Sequence, residues 1–320
     1  QSGAIAIGYL AGNVGITGGA ATGQDINAIA IGVQAGQTSQ DSGAIAIGFQ
    51  AGGTVQGTNS IAIGVGAGAN TQSSNSIAIG TNAGQATQRS AIAIGFNAGQ
   101  TGQGTNSIAI GANAGQNNQG PGPGGTAGSV AIGYQAGQTG QSENAVAIGY
   151  LAGQYSQGVN GVGIGNKGRC VAIGASSGLT SQSAYAVAIG YQAGTSTQGE
   201  NSIAIGYNAG QTGQSSNAVA IGYLAGQAGQ AANSIVLNAS GTAINGTTAS
   251  SFYAAPIRTT APSSNYLTYN DTNKEVTKNT TLGDYIVFGS GKLYFTPTDP
   301  ALTPYFYTIS PGDVWITGGV

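Results

Sequence analysis

Histidine and methionine are absent from this 320-residue chain, cysteine occurs once, and only 7 basic and 9 acidic side chains are present. Each scarcity excludes something. Without His and with so few carboxylates, the usual general bases and nearly all metal ligands are missing, so neither an enzyme nor a cofactor or resident metal is expected. Seven Lys and Arg spread over the whole length cannot form the phosphate-neutralising patch that nucleic-acid binding needs. Cys170 has no second cysteine to pair with and leaves the redox compartment unread. No run approaches the roughly 18 apolar residues of a membrane span, and no charged-then-apolar segment opens the sequence. A chain without Met that starts at Gln1 inside a repeat is expected to be a processed or trimmed product.

Glycine is abundant, at 59 residues, with 8 prolines and 40% hydrophobic residues. That composition lies below unpatterned disorder and permits a packed core. One phrase, small-Ile-Ala-Ile-Gly, recurs with its glycine at 8, 32, 48, 64, 80, 95, 111, 133, 149, 165, 174, 190, 206 and 222, and a last variant ends at Asn238. Ten of the steps are 16 residues and one is 15; the others are 24, 22 and 9. The two longer steps carry Gly-rich inserts, Asn13 to Gln24 and Gly120 to Gly125, whose composition belongs in corner loops.

Apolar residues alternate within the phrase, as in a strand. The residue one before the glycine is Ile in every unit, Leu237 in the last variant, and the residue three before is always Ile or Val. A column restricted to large aliphatics predicts a stacked interior, with the alternating Ala column turned outward. Ala follows the glycine by three residues in 12 of 14 units, and Gly by four in 13, giving a second short strand and a turn. Eight residues after the glycine stands Gln40, Gln56, Gln72, Gln88, Gln103, Gln119, Gln141, Gln157, Gln182, Gln198, Gln214 or Gln230. An amide ladder, Gln on Gln, is expected at that corner, and an Asn ladder (Asn27, Asn59, Asn75 and their successors) at the opposite one. Together these features predict an all-β chain: a parallel β-solenoid of 16-residue coils over 1–238, a linker over 239–264 and a small β module over 265–320. The Ala column, at Ala62, Ala78, Ala93, Ala109 and Ala131, is assigned to packing identical rods into a homotrimer.

The phrases closely resemble the head repeat of YadA-type trimeric autotransporter adhesins, Asn-Ser-Val-Ala-Ile-Gly. Asn59 to Gly64, Asn106 to Gly111 and Asn201 to Gly206 read Asn-Ser-Ile-Ala-Ile-Gly. The resemblance spans residues 1 to about 238 and implies a left-handed parallel β-roll, a parallel homotrimer, a place outside the cell, and attachment to host matrix or surface glycans. The Gln column departs from that pattern, and neither a coiled-coil stalk nor a membrane anchor follows Asn238. Residues 233–279, with Asn-Ser-Ile-Val-Leu-Asn-Ala-Ser-Gly, Ala-Ala-Pro-Ile-Arg and Asn-Tyr-Leu-Thr-Tyr-Asn, resemble instead the junction of fibre proteins from large DNA viruses and tailed phages. This second likeness implies a fibre on a virion surface. A structural filament assembling end to end, without a ligand of its own, is the competing reading.

Aromatic residues gather after Phe252, and hairpins are expected around 270–273 and 289–291, with further strands near 305–309 and 314–317. Tyr305, Tyr307 and Trp315, with Asp299 and Asp313, are candidates to stack on and hydrogen-bond a sugar, although packing of a small β core weighs more. Tyr or Phe directly after the phrase glycine (Tyr9, Phe49, Phe96, Tyr134, Tyr150, Tyr191, Tyr207, Tyr223) forms a stripe for which rung-to-rung stacking outweighs adhesion. Asp271 with Asp284 or Asp299 is a weak Ca²⁺ motif, and Asn238, Asn245, Asn270 and Asn279 open glycosylation sequons. An ice-binding face would need a flat Thr array, and the position six after the glycine is mixed, with Thr38, Asn70, Ala86 and Tyr155.

Overall fold

A computed structural model describes residues 3–13, 23–119, 128–155 and 170–257. Beyond these it describes the strands at 266–270, 275–279, 286–289, 292–295 and 306–307. The chain divides into two units, Gln1–Pro256 and Ile257–Val320.

The first unit is the expected parallel solenoid. Each described phrase contributes a strand of three or four residues, from Ile5–Ile7 through Ile108–Ile110 to Val219–Gly222 and Ile235–Asn238, and with Phe252–Ala255 these stack in one 15-stranded sheet. Register is strict: Ile92 pairs with Ile108, Ala93 with Ala109 and Ile94 with Ile110, and every other pair of rungs repeats this. The strands that end at the Gln column form a second parallel wall, seven strands from Ser39–Gln40 to Thr139–Gln141 and three from Thr180–Gln182 to Thr212–Gln214. Tyr155 bridges the two groups by pairing with Thr139 and with Thr180.

Val146–Ile148 pairs directly with Val171–Ile173; the phrase at Gly165 lies outside the described residues. The ladder also runs past Asn238: Phe252–Ala255, within the expected linker, pairs in parallel with Ile235–Asn238 as a further rung.

The larger correction is to the interior. Strand alternation shows which residues share a face, but not which face is inside. The Ala column is inside. Ala62, Ala78, Ala93, Ala109 and Ala131 have no exposed surface within a single chain and pack with Ala67, Ala83, Ala98, Ala114 and Ala136 of the turn that follows each phrase. They therefore have nothing to offer a partner rod. The Ile and Val columns point outward and are only half-buried, with Ile148 and Ile173 36% exposed. The coil is too thin for aliphatic columns: its two walls meet at methyl contact, and all of the largest fully buried side chains are glutamines.

The phrase glycines are dictated by the same thinness. Gly111 has φ +126, and a Cβ there would stand 2.6 Å from the carbonyl oxygen of Gly133 in the next coil. Glycine at this corner lets consecutive backbones turn at one rung spacing of ~4.8 Å.

The solenoid widens at its C-terminal end. Ala220 is paired with Val236, and Val236 with Tyr253, so the interior column grows from methyl to isopropyl to phenol. Ile244 and Tyr253 pack on the last Ala cluster. Thr248 hydrogen-bonds the Tyr253 hydroxyl and holds that phenol below its usual pKa.

In the second unit Tyr266–Asn270 pairs antiparallel with Glu275–Asn279, and Ile286–Gly289 with Lys292–Phe295, which also pairs with Phe306–Tyr307. Both expected hairpins are therefore present.

Candidate functional site

Three surfaces of the solenoid carry residues singled out by the sequence: the Gln column, the outer Ile and Val columns, and the aromatic column beside them.

The Gln side chains cross the interior. Gln40 Nε2 donates to the carbonyl oxygen of Ile29 at 2.7 Å, on the other wall of its own coil, and to that of Ala44 at 3.1 Å, where the next coil begins. The pattern repeats from Gln56 to Gln230. Contact from amide to amide is secondary, found for Gln72 to Gln88, Gln119 to Gln141, Gln198 to Gln214 and Gln214 to Gln230 at 3.1–3.2 Å. Gln157 lies outside the described residues. The first unit, where no Gln stands eight residues on, is served across its insert by Gln24, whose amide reaches Ile5 and Ala28.

Several Gln Oε1 atoms, among them those of Gln40, Gln56 and Gln103, have no conventional donor. Each faces the glycine four residues back; a Cβ on Gly36, Gly52 or Gly99 would lie 2.6 Å from that oxygen. The Gly Cα–H group is what the oxygen meets, a weak but recurring contact. This explains why Gly and Gln are fixed together, and it makes the column structural.

Of the expected Asn ladder, one stretch is bonded side chain to side chain, with Asn201 donating to Asn217 at 3.3 Å and Asn217 to Asn233 at 3.1 Å. These Asn residues sit at φ near +57, the left-handed conformation that Asn tolerates better than other side chains.

The outer face of the phrase strands is apolar along its whole length. Two aliphatic columns, over the fourteen phrase rungs of the sheet, make a ribbon roughly 60 Å long and 7 Å wide, on the order of 400 Å². That is at the upper limit of what a solitary soluble chain leaves uncovered. The aromatic column adds to it: Tyr134 stacks on Tyr150 with centroids 5.5 Å apart, Tyr191 on Tyr207 at 5.2 Å and Tyr207 on Tyr223 at 5.3 Å.

Cys170 occupies the Ala/Ser position four before the phrase glycine and is fully buried. Loss of solvent pushes its thiol pKa up to about 12, with a backbone hydrogen bond opposing the shift. It is chemically quiet. Asn238, the first sequon residue, is 3% exposed and donates to the carbonyls of Tyr223 and Thr242, so its amide nitrogen is engaged. Among the described residues no group of three or more His, Cys, Asp and Glu side chains is placed to hold a metal, and no helix is long and apolar enough to cross a membrane. Tyr305, Trp315, Asp299 and Asp313 lie outside the described residues, as do Asp271, Asp284 and the side chain of Tyr307.

Sequence reasoning missed the inward Ala and the outward Ile. The available signal was the Ala column three after the glycine. Two small-residue columns on opposite walls of one coil, with a Gly matched to each Gln, require close approach on that side.

The family model for the YadA head domain repeat matches residues 56–83, 103–114 and 182–209. These segments hold the Asn-Ser-Ile-Ala-Ile-Gly phrases with their flanking Gln strands, so the chain carries repeats of the YadA head type. No curated protein and no solved structure matches the chain. No match covers residues 233–279, and the resemblance of that stretch to viral fibres stands on its sequence alone.

Proposed function

We propose that this chain is the rod of a non-enzymatic extracellular fibre, in which three parallel copies pack through their Ile and Val columns and the assembly serves attachment to a host surface glycan or matrix protein. The observation that carries the reading is the uninterrupted aliphatic ribbon on the outer face of a strictly in-register sheet. Its interior is complete in one chain; its exterior is not. A rotation axis along the rod brings equal rungs together at equal heights, so three ribbons cover one another without offset. The match to YadA head repeats supports an adhesin-like, surface-exposed role at the level of the family.

The scarcity of charge suits such a rod, because neither salt nor pH has much to act upon. Attachment is assigned to the aromatic-rich module at 265–320, with Tyr305, Tyr307, Trp315, Asp299 and Asp313 as its candidates.

The test is to place Asp at two outward positions, Ile63 and Ile110, and compare masses by sedimentation. Dissociation to single chains with an unchanged β-type circular dichroism spectrum supports the reading. Unfolding of both variants, or assembly that persists, contradicts it. A unmodified protein that is trimeric yet retains no glycan or matrix protein in binding arrays would favour the structural-filament alternative.

A further inference from the structure

The aromatic column is not continuous. Along the second half of the rod the residues that directly follow the phrase glycines of the described rungs are Tyr134, Tyr150, Ala175, Tyr191, Tyr207 and Tyr223; Asn166, after Gly165, lies outside the described residues. Backbone bonds keep them in step: the Ser176 amide donates to the Tyr150 carbonyl at 2.8 Å, and the Gln192 amide to the Ala175 carbonyl at 2.9 Å. Where aromatic rungs are consecutive their rings stack, with planes 12–15° apart. At Ala175 the ladder is broken. Tyr150 ends one stack and Tyr191 begins the next, and these two rings are 56% and 48% exposed. Two rungs separate them, roughly 10 Å, and among the described residues of this column the rung between them carries a methyl group, Ala175. The opening has the width of one missing ring. The same arrangement recurs at Ala112 between Phe96 and Tyr134, which are 53% and 46% exposed.

We propose that the gap over Ala175 is a binding slot for one neutral pyranose ring with all-equatorial substituents, held between Tyr150 and Tyr191, and that the gap over Ala112 is a second slot of the same kind. Both walls are aromatic, so an occupant must present C–H groups on both of its faces. A β-glucopyranose ring does so, since its axial positions carry only hydrogen. One axial hydroxyl, as in a galactose ring, sets a polar group against one wall and leaves it without a partner. Neither the walls nor the floor carry charge, which selects a neutral ligand. Centroid separations of about 5 Å on either side fall within the range at which aromatic walls make favourable contact. A second rod does not fill the gap: in a parallel trimer equal rungs meet at equal heights, so the neighbour brings an alanine to that level. That last step alone rests on the trimeric reading.

The experiment titrates the full chain with methyl β-D-glucopyranoside and methyl β-D-galactopyranoside, followed by saturation-transfer NMR and tyrosine fluorescence, with the oligomeric mass recorded on the same samples. Ala112→Tyr with Ala175→Tyr fills both slots with the residue that the column accepts at adjacent rungs. Tyr150→Ser with Tyr191→Ser removes the walls of one slot without filling it. Expected are saturation of the glucoside, binding of the galactoside weaker by about tenfold or more, and loss of the signal in the filled variant at unchanged circular dichroism and mass. No glucoside signal, equal response to both sugars, or a signal that survives in both variants overturns the assignment. A changed mass with intact sugar binding counts against the trimer and not against the slots.

Discussion

The side-chain amide of Gln119 donates to the carbonyl oxygen of Ile108 at 2.7 Å, from the opposite wall of the same coil. The described glutamines of the column, from Gln24 to Gln230, make this bond, and it closes a turn of chain whose remaining interior is methyl groups. Gln119→Ala removes a donor, leaves a void and leaves a buried carbonyl with less than it had, at a cost of ~1–3 kcal/mol. Gln119→Glu is more informative. A carboxylate facing two carbonyl oxygens in the interior has its pKa raised above the usual ~4.3. The folded variant then binds the proton better than the unfolded one, so its stability is fully present below that value and falls as pH rises through the raised pKa. Urea unfolding at pH 4 and pH 7 is expected to show a deficit mainly at pH 7. An equal deficit at both would place the amide outside the closing role.

Gly111→Ala and Gly229→Ala separate two kinds of glycine. Both have positive φ, but a Cβ at Gly111 meets the Gly133 backbone at 2.6 Å, whereas nothing lies within 4 Å of Gly229. The second substitution is expected to cost about 1–2 kcal/mol from conformation alone, and the first several times that or loss of folding. Thermal unfolding of the two variants side by side checks the difference.

Cys170→Ala places the usual occupant in its column. The thiol, with its pKa pushed up to about 12, is expected to resist alkylation at pH 8.5 until the chain is denatured. In an unfolded chain a thiol ionises near pH 8.5. A folded value above that makes the folded state the better proton binder, so its contribution is complete below pH 8.5 and is lost as pH rises towards 12. Cys170→Ala should remove that alkaline slope. Rapid labelling of the native protein would show that the site is open.

How much of this was legible in the sequence can be judged from two adjacent residues. That Ala109 and Ile110 lie on opposite faces follows from alternation, and their stacking on Ala93 and Ile94 follows from the repeat. Which of the two is inside did not follow, because the rule that large apolar residues are buried assumes an interior wide enough for them. Here the width is set by the opposite wall, by Ala114 and Gln119, and only a Cβ fits. The Gln column was visible, but its main partner was not: a ladder of like residues is suggested by register, whereas a bond to the far wall needs the coil to be closed in space. Gln24, moved by its insert, and the direct pairing of Val146–Ile148 with Val171–Ile173 were hidden for the same reason. Counting along the chain does not see which residues meet across it. The attachment candidates at Tyr305 and Trp315 rest on composition.

Tyr253 tests the closed end. It continues the interior column after Ala220 and Val236, and Tyr253→Ala is expected to leave the last coils unplugged. Hydrogen exchange should then rise from Val219 to Ala255 and remain unchanged at Ile61–Ile63. Uniform exchange along the rod would argue against a plug.

The most direct measurement is the native mass of the unmodified protein. Outward Ile columns on a rod whose interior is already filled predict a species of three times the 31.0 kDa chain, stable to salt and lost when Ile110 becomes Asp. A single-chain mass across the working concentration range, with the solenoid's β spectrum intact, would contradict the account.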